Sequence, residues 1–208
     1  MRLPQKLSTL LSCFVLSCIS LCGAGCSPRN FLTRRLAADL IAASEAFKAP
    51  QLFWLRSGVI SNKEFSSPEM MVLKRRGWVV GNQQKKCPLG VDPPPCWDVL
   101  LTPLGVDTVR PLISTALPDA GTIAIQAARR EMLDISGISK AGNFADVEFI
   151  WHWVSLNQVG ATLYDSGVRY RSTVAFRSFD DGWRVVEQSA AASQPLEDAL
   201  RNAQPAAP

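Results

Sequence analysis

Histidine is nearly missing from this 208-residue chain: His152 is the only one. A single histidine, with no cluster of Cys and His at metal-ligand spacing, leaves no framework for a zinc site, and no metal or cofactor is expected. The short motifs of several enzyme classes are missing too. There is no G-x-S-x-G, no phosphate-binding glycine loop and no H-E-x-x-H. Charge of one sign is not in excess either. The formal net charge is +4, and Arg2 and Lys6 account for two of the 22 basic residues, which leaves 20 basic against 18 acidic side chains in residues 26–208. A nucleic-acid reader carries a basic stripe, so no nucleic-acid partner is expected. One uncharged apolar run stands out, Leu7 to Leu21, and it falls short of the roughly 20 residues that a membrane-crossing helix needs.

What is present begins with that run. Arg2 and Lys6 precede it, and the small residues Gly23, Ala24 and Gly25 follow it. This is the three-part layout of a secretory signal peptide, over residues 1–25. Cys13, Cys18 and Cys22 lie inside it as small hydrophobes and leave with it. Cys26 directly follows Gly23-Ala24-Gly25 and precedes Ser27-Pro28. The stretch resembles the lipobox of bacterial lipoproteins, matched at Ala24, Gly25 and Cys26, with Gly23 where the family prefers Leu. The resemblance implies lipidation of the Cys26 thiol, cleavage just before it and acylation of the new amine. It also implies the outer membrane, because Ser27 stands where an aspartate would mark inner-membrane retention. Its partners would then be the membrane, through the N-terminal lipid, and a further envelope protein.

Two cysteines remain, Cys87 and Cys96, in KKCPLGVDPPPCWD. Export takes them to an oxidising compartment, where neighbouring thiols pair. A disulfide is expected, closing a loop stiffened by Pro88 and Pro93-Pro94-Pro95 and contributing about 2–3 kcal/mol through loop entropy.

Residues 26–118 read as a helical region. Phe31, Leu32, Leu36, Leu40, Ile41, Ala43 and Phe47 recur at helical spacing and predict a helix over Asn30 to Lys48. Ser67-Pro68-Glu69 is a helix start, and Lys74-Arg75-Arg76 before Gly77 is the cationic end that a helix dipole favours. Trp78 to Val80 and Trp97 to Leu101 read as strands. Leu73 to Trp78, "LKRRGW", and Leu101 to Gly105, "LTPLG", resemble the helix–wing layout of the winged-helix family across residues 61–113. That resemblance implies a DNA-contacting helix at Pro68 to Arg76, with a wing tied off by the two cysteines.

Residues 119–189 change towards period two. Thr122 to Ile138 predicts a strand, with a helix as the alternative. Val147, Phe149, Trp151 and Trp153 alternate with Glu148, Ile150, His152 and Val154. Val168 to Phe179 alternates again. Asp181-Gly182 is a two-residue hairpin turn, and Trp183 to Gln188 returns. The expectation is a four-stranded antiparallel meander packed on the first helix, in an α+β fold. Residues 190–208, rich in Ala, Gln, Ser and Pro, read as a flexible tail containing at most a short helix near Leu196 to Asn202.

Candidate site residues are few. Arg169, Arg171 and Arg177 share one strand face and could bind an anion, or pair with Glu148 or Glu187 across strands. His152, flanked by two tryptophans, could serve an envelope enzyme, but no catalytic partner is visible beside it. Asp180 and Asp181 are turn residues first. No catalytic residue is assigned. The function expected is that of an exported, lipid-anchored envelope protein with a non-catalytic binding or structural role. The rival is a membrane-anchored winged-helix regulator.

Overall fold

The structure, a computed structural model, describes residues 31–88, 94–113, 121–186 and 194–206. The leader and Cys26 lie outside the described residues. The fold is mixed helix and antiparallel sheet, with more strand than helix.

The larger sheet is built on β5 (Thr122–Ala141), β6 (Phe144–Ser155), β7 (Arg169–Phe179) and β8 (Gly182–Val185), neighbours in that order. The tight turns between them use Gly142 at φ 59° and Gly182 at φ 132°, values that cost glycine little. Alternation does what the sequence predicts. Val147, Phe149, Trp151 and Trp153 are buried on one face of β6, and the two tryptophans meet edge to face. β5 is a strand throughout, but its pairing with β6 shifts between Met132 and Asp134 and again between Ile135 and Gly137. Each bulge adds a residue and reverses the alternation. A strand that the sequence reading left unassigned, β1 (Gln51–Arg56), pairs with the first part of β5 on the edge away from β6.

The aromatic face is covered from both ends of the chain. The expected first helix is two: α1 (Arg34–Ala43) and α2 (Glu45–Lys48). Ser44 makes the break. Its hydroxyl donates to the Ile41 carbonyl at 2.6 Å and accepts from the Phe47 N–H at 3.4 Å, ending one helix and capping the next. The bend lets Ala37, Ile41 and Phe47 all reach the sheet. The expectation of a flexible tail is corrected. In α7 (Leu196–Arg201), Leu196, Ala199 and Leu200 are buried in the same core. Trp151 Nε1 donates to Ser172 Oγ at 3.0 Å, and Ser172 Oγ donates to the Ala199 carbonyl at 2.8 Å, all of it buried. Beyond the helix, β9 (Gln204–Pro205) pairs with β7. Composition hid this because three apolar contacts suffice to dock so short a helix.

A second sheet orders β2 (Gly58–Ser61), β4 (Cys96–Leu101) and β3 (Val79–Gln84) side by side. α3 (Asn62–Phe65) starts with a capping box between Ser61 and Glu64, and α4 (Pro68–Arg75) starts as expected, with Ser67 accepting from the Met70 N–H. α5 (Pro103–Val109) follows β4, and α6 (Gln158–Leu163) follows β6. These elements surround a second core that includes Phe65, Leu73, Trp78, Val99, Ile125 and Val159.

α5 and α6 are seated by one device used twice. Thr102 caps α5 by accepting from the Gly105 N–H at 3.0 Å, and its own N–H donates to the Trp78 carbonyl. Asn157 caps α6 by accepting from the Gly160 N–H at 2.9 Å, while the Leu156 N–H donates to the Ala127 carbonyl. A Cβ on Gly105 would sit 2.0 Å from the Trp78 oxygen, and one on Gly160 would sit 1.8 Å from the Ala127 oxygen. The "LTPLG" stretch therefore has a packing explanation: its glycine lies flat on the backbone of the tryptophan that ends "LKRRGW".

Two substitutions test the larger core. Ser172→Ala should cost about 1–3 kcal/mol in urea unfolding, because the Trp151 N–H and the Ala199 carbonyl lose their shared partner. Trp151→Ala should cost about 3–5 kcal/mol. A neutral Ser172→Ala would mean that α7 does not dock through this bridge. Gly105→Ala and Gly160→Ala should each lower the melting temperature further than Ser172→Ala does, since backbone must move to admit the methyl group.

Candidate functional site

The cysteine hairpin is the plainest feature. β3 and β4 pair up to Gln84 opposite Cys96, and Cys87 lies just beyond. The Cys87 and Cys96 α-carbons are 5.8 Å apart, inside the range a disulfide spans.

The three candidate arginines lie along β7 but do not converge. Arg169 faces His152 across the β6 pairing, and Arg171 faces Ile150. Arg171 Nε is 3.7 Å from Glu148 Oε1, the cross-strand use the sequence also allows. Arg177 is eight residues from Arg169, roughly 26 Å along an extended strand, and it sits between the rings of Phe144 and Phe179.

His152 has neighbours that its sequence position does not reveal. Its Nδ1 is 3.0 Å from the Ser166 carbonyl, and its Nε2 is 3.9 Å from Glu131 Oε1. Nε2 is shielded from solvent and has no hydrogen-bond partner. Nearby, Arg130 stacks on Trp153 at 4.8 Å and donates to the Ala46 and Ala49 carbonyls at 3.1 and 3.2 Å. Burial lowers its pKa from the ordinary guanidinium value. It ties the end of α2 to the sheet.

Two open cavities merit description. One, about 350 Å³, runs beside β1 and is lined by Leu52, Trp54, Met70 and Tyr164, with Arg56 paired to Glu64 at its rim. Burial works to raise the Glu64 pKa, but the Ser61 backbone N–H and Arg56 outweigh it and hold the carboxyl below its ordinary value. The Tyr164 phenol is raised by burial; a hydrogen bond with Gln51 opposes the shift and the charge of Glu69 adds to it.

The other cavity, about 420 Å³, lies where the β5–β6 and β7–β8 hairpins end side by side, lined by Asn143, Phe144, Arg177, Phe179, Asp181 and Arg184. The hairpins are locked by the Ser178 N–H donating to the Asn143 carbonyl at 2.8 Å. Arg184 pairs with Asp181 and stacks on Phe179 at 5.0 Å. On the opposite face of the same end, Lys140 lies over Trp183 at 5.0 Å and over Phe31 at 6.0 Å. Phe31, Phe144 and Phe179 are all exposed. Sequence reasoning missed this cluster. The signal was an apolar residue beside each turn, Phe144, which strand pairing places opposite Arg177, and Phe179, opposite Gly182.

Among the described residues, no group of three or more His, Cys, Asp or Glu side chains could hold a metal ion. No helix among them is long and apolar enough to cross a membrane. Comparison with protein-family models, with curated proteins and with solved structures gives no match.

In protein isolated from cells without reductant, a proteolytic digest should contain one peptide pair linked through Cys87 and Cys96. Two thiols open to alkylation in freshly isolated protein would refute the bridge.

Proposed function

We propose that the chain is an exported bacterial lipoprotein, held in the cell envelope by acyl chains on Cys26, with a non-catalytic binding or structural role. Its place is the outer membrane, facing the periplasm. The observation that carries the reading is the meeting of Cys87 and Cys96 at 5.8 Å. A disulfide needs an oxidising compartment, and residues 1–25 have the layout that sends a chain to one. Two unrelated stretches thus support the same destination.

The winged-helix reading has its own support. β2, α3, α4, β3 and β4 follow one another in that family's manner, down to the paired wing strands. Against DNA contact stands the near balance of charge, 20 basic against 18 acidic side chains in residues 26–208, with Lys74 of the basic cluster 5.1 Å over the Phe65 ring. The segment is better taken as an envelope scaffold.

Metabolic labelling with a palmitate analogue should mark the wild type and leave Cys26→Ser unmarked. The variant should either leave the membrane fraction or accumulate as an uncleaved precursor, since stable anchoring takes more than one acyl chain. An unlabelled chain that keeps residues 1–25 and binds DNA with steep salt dependence would overturn the proposal in favour of the regulator.

A further inference from the structure

We infer that the hairpin end of the larger sheet, bearing Phe144, Phe179, Arg177, Arg184 and Lys140, rests on the lipid bilayer that anchors the chain. The inference rests on lipidation of Cys26.

Geometry comes first. The ring of Phe31, the first described residue, lies 6.0 Å from Lys140 Nζ, at the hairpin end of β5. Only four residues, and so five Cα-to-Cα steps, separate it from Cys26. At most about 3.6 Å per step, the tether reaches roughly 18 Å. β5 has 20 residues, which is about 66 Å of strand at ~3.3 Å per residue before twist and bulges shorten it. The tether is therefore much shorter than the body it holds. Whatever part of the body meets the membrane must therefore include the end that carries Phe31.

Chemistry agrees. Phe31 is 65% exposed, Phe144 51% and Phe179 43%. Three exposed phenylalanines at one end of a sheet are an unfavourable arrangement in water and a favourable one at the headgroup boundary, where aromatic side chains find an apolar layer below them. Each has a cation at its ring: Lys140 at Phe31, Arg177 at Phe144 and Phe179, Arg184 at Phe179. Arg34 and Arg35 open α1, and Arg34 donates to the Ser136 carbonyl at 3.5 Å, further back along β5. The acids at this end are Asp146, Asp180 and Asp181, and Asp181 is already paired with Arg184. Phosphate-bearing headgroups suit this pattern: rings enter the boundary while guanidinium and ammonium groups stay at phosphate depth.

The test uses the full lipidated chain in vesicles of phosphatidylethanolamine and phosphatidylglycerol, with flotation confirming that it is bound. Hydroxyl-radical footprinting then compares Phe144 and Phe179 with Trp54. Trp54 is 50% exposed and pairs with Ala124, near the far end of β5. The phenylalanines should oxidise several-fold more slowly, relative to Trp54, than their exposures imply. Phe144→Asp with Arg177→Glu should abolish protection at Phe179 while the chain still floats. A chain that floats with Phe144 and Phe179 as reactive as Trp54 overturns the docking and leaves the anchor standing. A chain that neither floats nor takes the palmitate label overturns both. Protection seen in native envelopes but not in vesicles also overturns it, because a protein would then cover this end.

Discussion

Four side chains of β6, Val147, Phe149, Trp151 and Trp153, must be kept from water, and the rest of the larger core is arranged to do so. One layer of strand cannot hide both of its faces. The chain brings α1 and α2 from the N-terminal side and α7 from the C-terminal side onto the same face. The two covers are held differently. α2 is fixed by Arg130, whose guanidinium lies on Trp153 and whose N–H groups reach the helix's final carbonyls. α7 is fixed by the buried bridge from Trp151 through Ser172 to Ala199. Both holds are polar, and both end on a tryptophan. The indoles serve as apolar filling and also as the attachment points for what covers them.

β5 joins this core to the other. Ile125 belongs to the smaller core, while Ala128 and Ile135 belong to the larger. Ala128 is the crossover: it pairs with Gln51 of β1 on one side and with Ser155 of β6 on the other. Beyond it, no strand covers the outer edge of β5 among the described residues. The two bulges fall in that stretch, along with Arg129, Glu131, Asp134 and Lys140. Bulges and charges are how a sheet discourages other chains from adding to an open edge.

Much of the fold is legible in residue order where one rule acts alone. β6 and β7 alternate, Asp181-Gly182 turns, Ser67-Pro68 caps, and Cys87 and Cys96 meet. Legibility fails where two rules compete. The period-two signal of β5 breaks where Leu133 and Ser136 enter as extra residues, which is why a helix stayed open as an alternative for that segment. The helical period over residues 30–48 runs through Ser44 unchanged, because a capping hydroxyl leaves no mark on apolar spacing. Gln51–Arg56 has too little alternation to announce a strand that is paired on one side only. The candidate site is hidden for a different reason. Phe144 and Arg177 are far apart in sequence, and only strand register makes them opposite. His152 likewise acquires Ser166 and Glu131 from other segments.

The docking of α7 has a consequence for the order in which the protein can be made. Leu196, Ala199 and Leu200 fill the space between Trp151 and the helices near the start of the body, so the core cannot close while residue 200 is still being synthesised. Until then α1 and α2 cover only part of the aromatic face, which favours loose, reversible structure over a finished domain. A polypeptide that stays loose until its last helix arrives can still be threaded through a narrow channel, and one that closes early cannot.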